Sequence, residues 1–127
     1  MDEIDIEAKE LAQILSLGRV VLGVGAVLAP RRFGRMWTGE HSETAVSAIA
    51  VRGMGARDIA LGLGTLRALD GEGPARPWLE AQALADASDT VSTLGSFGKL
   101  PPLRRLIGLA TAAGACYVGL RLASELE

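Results

Sequence analysis

Six charged residues lie inside stretches that otherwise read as membrane-spanning: Arg19, Arg52, Arg57, Asp58, Asp86 and Asp89. Each costs roughly 2.5–3.5 kcal/mol at the centre of an inserted helix, so a charge at that depth normally has a partner and a task. Three guanidiniums against three carboxylates make the set electroneutral when all are ionised, which favours mutual pairing. Such a group can lock helices in register as buried ion pairs, hold the polar end of a ligand, or keep and move a proton. In the last case Asp86 or Asp89 would be the catalytic acid. It would protonate an epoxide or alkene, or shift a proton within a lipid-soluble substrate, while an arginine keeps the partner carboxylate ionised.

Gln82, Asp86, Asp89, Thr93 and Ser96 follow one another at offsets of four, three, four and three. That spacing puts all five side chains on one helix face. Lipid cannot satisfy a continuous polar stripe, so it must face the protein interior or a water-filled cavity. The candidate binding or ion-pair site is therefore Arg19, Arg52, Arg57, Asp58, Gln82, Asp86, Asp89 and Thr93, with Asp86 and Asp89 catalytic if the protein is an enzyme. No metal ion and no cofactor is expected.

Positioning these residues falls to four apolar segments, about 11–30, 45–69, 78–98 and 103–123, each near the ~20 residues that cross a hydrocarbon core. Pro30 ends the first, Gly71 to Pro74 with Pro77 separates the second from the third, and Pro101-Pro102 precedes the fourth. The connections are short, so neighbours must run antiparallel. The expected fold is all-α, an up-down four-helix transmembrane bundle over residues 11–127, preceded by an acidic tail over 1–10. With the second hairpin centred near Gly73, Arg57 falls level with Asp89 and Arg67 nearly level with Glu80. Arg19 and Asp86 fall near the middles of the first and third helices.

A soluble four-helix bundle is the competing reading, because no segment offers a charge-free run of 18 residues. Against it, the last segment has charge only at its ends, at Arg104, Arg105 and Arg121, and is apolar all round between them. Small residues also recur at heptad spacing: Gly108, Ala112, Ala115 and Gly119 in the fourth segment, Ala48, Gly55 and Gly62 in the second, and a stripe from Ala81 to Gly95 in the third. Such stripes let membrane helices approach closely, where a soluble bundle would place Leu. Loop charge agrees. Arg31, Arg32 and Arg35 share a side with Lys99, Arg104 and Arg105, and the positive-inside rule makes that side cytoplasmic. Both termini and the acidic second loop are then outside, in a multi-pass protein of the cell membrane. Trp37 and Trp78 sit at segment borders, where interfacial tryptophans are expected.

The run Arg57-Asp58-Ile59-Ala60-Leu61-Gly62-Leu63-Gly64, followed by Trp78-Leu79 and by Ala83-Leu84-Ala85-Asp86-Ala87-Ser88-Asp89, resembles a bacterial, largely actinobacterial, family of small four-pass membrane proteins of unknown function. Leu17-Gly18-Arg19-Val20 and Leu28-Ala29-Pro30-Arg31 fit the same pattern. The resemblance spans residues 11 to 122. It implies membrane residence and the four-helix architecture, and brings no activity with it.

The remaining features exclude more than they assign. The 127 residues make one domain, and 49% hydrophobic content alongside 22% charged residues requires the charges to be segregated. Five acidic residues crowd the first ten positions, so the net charge of −2 describes a tail more than a surface. No basic stripe and only 4% aromatic residues argue against nucleic acid as a partner. Cys116 is the only cysteine and reads as a small buried hydrophobe. His41, beside Glu40 and Glu43, has no nucleophile or carboxylate arrangement around it. The first ten residues lack a signal-peptide pattern, so the first apolar segment is expected to be retained. Leu22-Gly23-Val24-Gly25 and Leu61-Gly62-Leu63-Gly64 recur 39 residues apart, without the strand or lysine that a nucleotide loop needs. The expected function is binding of a small lipid-soluble ligand, or an accessory role in a homo-oligomer or larger membrane complex. The alternatives are an acid-catalysed cyclase or isomerase acting on an isoprenoid-like or other lipid-soluble substrate, and proton-coupled transport by an oligomer.

Overall fold

The computed structural model describes residues 3–38 and 44–126, and 92% of the described residues are helical, with no strands. His41, Glu40 and Glu43 lie outside them. The helices are α1 (Glu3–Leu28), α2 (Pro30–Thr38), α3 (Ala45–Arg67), α4 (Arg76–Gly95) and α5 (Pro102–Glu125). The protein is all-α, with four long helices close to the expected bounds and a short α2 where the sequence reading has a loop.

Pro30 explains α2. It has no N–H to offer the Ala26 carbonyl, so α1 breaks at Ala29 and a new helix starts with Pro30 in its first turn. Pro30 and Gly34 are buried while Arg31, Arg32 and Arg35 are exposed, which makes α2 amphipathic. α1 begins at Glu3 and so takes in most of the expected acidic tail. Carboxylates suit the positive end of a helix dipole. Ala8 and Ala12 also seat this turn against Ala68, Leu69, Leu79 and Leu122. At its far end α3 widens into a π-turn (Ala68–Glu72) in which Gly71, at φ +99°, takes the left-handed conformation that lets the chain reverse.

The long helices form two close pairs. In α1/α3 the backbones touch: a Cβ on Gly55 would stand 2.6 Å from the Gly23 carbonyl oxygen, and one on Gly62 would stand 2.7 Å from the Ser16 carbonyl oxygen. The recurring Gly-rich runs therefore mark one close-approach point on each helix of an antiparallel pair. In α4/α5 the equivalent contact is Gly119 on Ala83, again antiparallel. Trp78 lies flat against Gly64 and joins α4 to α3.

Large and small residues are distributed the reverse of a soluble core. Ten of the fourteen buried hydrophobic residues described are alanines and the other four are leucines. Twenty-three large hydrophobics are exposed, among them Leu28, Val46, Leu84, Val91 and Leu103. Apolar surface of this extent marks faces that a membrane, a partner or a ligand covers. Two helices, α1 over Asp5–Leu28 and α5 over Pro102–Glu125, are long and apolar enough to cross a membrane. α3 and α4 have 23 and 20 residues and carry the charged site through their middles, so the structure supports two candidate spans where the sequence reading expects four.

Candidate functional site

α1, α3 and α4 converge on a charged network at mid-height. Arg19 on α1 donates from Nη1 to Asp58 Oδ1 on α3 at 3.2 Å and from Nη2 to Asp86 Oδ2 on α4 at 2.6 Å. Arg57 on α3 grips Asp89 on α4 with both terminal nitrogens, at 3.1 and 2.9 Å, and donates from Nε to Asp58 Oδ1 at 3.2 Å. The order is Asp86, Arg19, Asp58, Arg57, Asp89, with Asp58 shared by both arginines. The pairing of Arg57 with Asp89 follows from the register of the α3/α4 hairpin, as the sequence predicts. Asp86 is the most enclosed member, its side chain 8% exposed against 30% for Arg57.

One turn toward the chain reversal, Gln82 joins the same three helices without charge. Its amide donates to Thr65 Oγ1 at 2.6 Å and to Ser16 Oγ at 3.2 Å, and Thr65 Oγ1 in turn donates to the Leu61 carbonyl at 2.9 Å. Ser16 and Thr65 are both fully buried. Sequence reasoning missed them. Ser16 does stand three residues before Arg19 inside an apolar run, which is the spacing of a shared helix face.

Arg52 does not belong to the network. It is exposed, and its Nε donates to the Val27 carbonyl at 3.2 Å. The reason is helical phase: five residues separate Arg52 from Arg57, about 500° of rotation, which turns the two side chains well apart. The electroneutral balance expected from three arginines is corrected accordingly. Two guanidiniums face three carboxylates. Thr93 is buried but serves its own helix, donating to the Asp89 carbonyl at 2.8 Å. Glu80, expected nearly level with Arg67, takes a local partner on its own helix, with Arg76 Nε donating to Glu80 Oε1 at 2.8 Å.

The network borders a half-open cavity of about 1610 Å³ lined by residues of both helix pairs. Ligand pockets commonly measure ~300–1,000 Å³. Its walls are apolar, including Leu15, Leu22, Met54 and Val118, and α5 presents only small or uncharged side chains to it. Arg19, Arg57, Asp58, Asp86 and Asp89 all line it. Ser92 and Thr93 on α4, then Ser96 and Lys99 past its end, continue the polar lining toward α2, where Phe33 and Trp37 also line the space. The opposite end is packed by Ala12, Leu69, Leu79 and Leu122. Among the described residues no group of three or more His, Cys, Asp or Glu side chains is arranged to hold a metal ion, and the aspartates are held by arginines instead.

No family model, no curated protein and no solved structure matches this chain. Any functional reading therefore rests on the geometry.

Proposed function

We propose that this chain is a four-pass membrane protein that binds a small lipid-soluble molecule in the cavity between its helix pairs, with the Arg19/Arg57/Asp58/Asp86/Asp89 network as the polar end of the site. The observation that carries the reading is that a five-residue charged network opens onto a large apolar cavity instead of closing on itself. An ion-pair lock needs no such space. Acyl chains would cover the exposed Leu, Val and Ile side chains of all four long helices, and pairing within the network would offset the insertion cost of α3 and α4. α2 would lie in the interface on the cytoplasmic side, its arginines toward the headgroups. That side also carries Lys99, Arg104 and Arg105, with Arg104 donating to the Arg35 and Met36 carbonyls.

The chain should resist alkaline carbonate extraction, and a C-terminal alkaline-phosphatase fusion should be active. Release into the soluble fraction would refute the membrane reading, and an inactive fusion would refute the orientation. Protein freed from its own membrane inside a mass spectrometer should carry a noncovalent small-molecule adduct that organic solvent removes. Bare protein under gentle release would contradict the pocket.

A further inference from the structure

We infer that the ligand of this pocket is an amphiphilic cation, an amine or quaternary ammonium on an apolar body. The inference rests on the reading of the cavity as a ligand site and adds the sign of the ligand's charge. The charges facing the site can be named helix by helix. α1 supplies Arg19, α3 supplies Arg57 and Asp58, and α4 supplies Asp86 and Asp89, while α5 supplies none. One negative charge is in excess. Arg52 cannot cancel it, being turned outward to the Val27 carbonyl. Lys99 lines the same cavity but is exposed, beyond the end of α4 and outside the ion-paired network.

The excess falls on the two aspartates that keep an oxygen without a hydrogen bond, Asp86 and Asp58. Both oxygens of Asp89 are held by Arg57, whereas Asp58 is held through Oδ1 alone, shared between two guanidiniums, and its Oδ2 accepts no hydrogen bond among the described residues. Asp86 has a single contact, from Arg19 to Oδ2. Its Oδ1 accepts no hydrogen bond among the described residues. No fully enclosed side-chain polar atom described lacks a partner, so that oxygen faces the cavity that Asp86 lines. A carboxylate oxygen with no hydrogen bond of its own, in a network one positive charge short and bordered by apolar walls, favours a proton or a cation beside it. A cationic ligand meets it and seats its apolar body against Leu15, Leu22, Met54 and Val118. An anion would add to the excess.

The test uses the full chain in nanodiscs of phosphatidylcholine, titrated with decyltrimethylammonium, decanol and decyl sulfate as probes of equal chain length, with empty nanodiscs subtracted. Wild type should bind the ammonium at least about tenfold more tightly than the alcohol, with the sulfate weakest. In Asp86→Asn the preference for ammonium over alcohol should vanish, and in Asp86→Glu it should return. Equal binding of ammonium and alcohol by wild type, or tighter binding of sulfate, would overturn the cationic assignment and leave the pocket standing. Failure of all three probes would overturn the pocket itself. The wild-type comparison decides the matter even if Asp86→Asn does not fold.

Discussion

Arg19→Leu should be the most damaging single substitution in the charged site, costing about 3–5 kcal/mol of stability measured by denaturant unfolding in detergent. Arg19 ties α1 to both α3 and α4 by charge, through Asp58 at 3.2 Å and Asp86 at 2.6 Å. Its loss leaves Arg57 alone against three carboxylates and doubles the excess negative charge. Removing the orphaned carboxylate as well, in Arg19→Leu/Asp86→Leu, should recover a large part of the loss, because the penalty lies in the unpaired charge more than in the missing contact. Arg52→Leu is the control. Its guanidinium reaches only the Val27 carbonyl from an exposed position, so the change should stay within about 0.5 kcal/mol. Equal damage from Arg19→Leu and Arg52→Leu would show that the network does not hold the helices together.

The second large effect is steric. Gly55→Ala should cost about 1–3 kcal/mol and Gly55→Leu should prevent the α1/α3 pair from forming. A Cβ at Gly55 would lie 2.6 Å from the Gly23 carbonyl oxygen and 2.9 Å from the Ala26 Cβ, and backbone cannot rotate away as a side chain can. Two residues earlier, a Cβ on Gly53 meets nothing within 4 Å. Gly53→Ala should therefore be neutral or stabilising by roughly 0.5–1 kcal/mol, since alanine restricts the unfolded chain and favours helix. Thermal unfolding of the purified variants distinguishes the two positions. Similar melting temperatures for Gly53→Ala and Gly55→Ala would contradict the close approach.

Much of this arrangement is legible in the chain because hydrophobic periodicity and turn residues act locally. Pro30 and Gly71 end helices and Pro101-Pro102 opens one through backbone geometry alone, so the four long segments emerge nearly in register, and register then places Arg57 level with Asp89. Most of the polar stripe of α4 is legible for the same reason: Gln82, Asp86 and Thr93 are buried and Asp89 half-buried, whereas Ser96, past the end of the helix, is exposed. The errors arise where an outcome depends on a partner or on rotation about a helix axis. Arg52 has the composition of a site residue and the wrong azimuth. The α2 segment reads as a loop because its nine residues are too few for a strong periodic signal, and its stability comes from burying Pro30 and Gly34 against its neighbours. Ser16 and Thr65 acquire their role only when α4 brings Gln82 between them. The cavity is the least legible feature. It exists because two pairs close tightly on glycine and alanine and leave space between the pairs, which no single segment records.

Asp86→Asn separates a functional pocket from a structural lock most directly, because the amide keeps the shape of the side chain and removes both its acid and its charge. With two guanidiniums then facing two carboxylates, the network is balanced, so the variant should fold and melt within a few degrees of wild type, as expected for a change under about 1 kcal/mol. The measurement is native mass spectrometry on both proteins released from the same membrane, paired with thermal unfolding of the same samples. The expected result is a small-molecule adduct on wild type that is absent from an equally stable Asp86→Asn protein. The same adduct on both proteins at equal stability, or loss of the adduct only in step with loss of the fold, would contradict the assignment of this network to ligand binding.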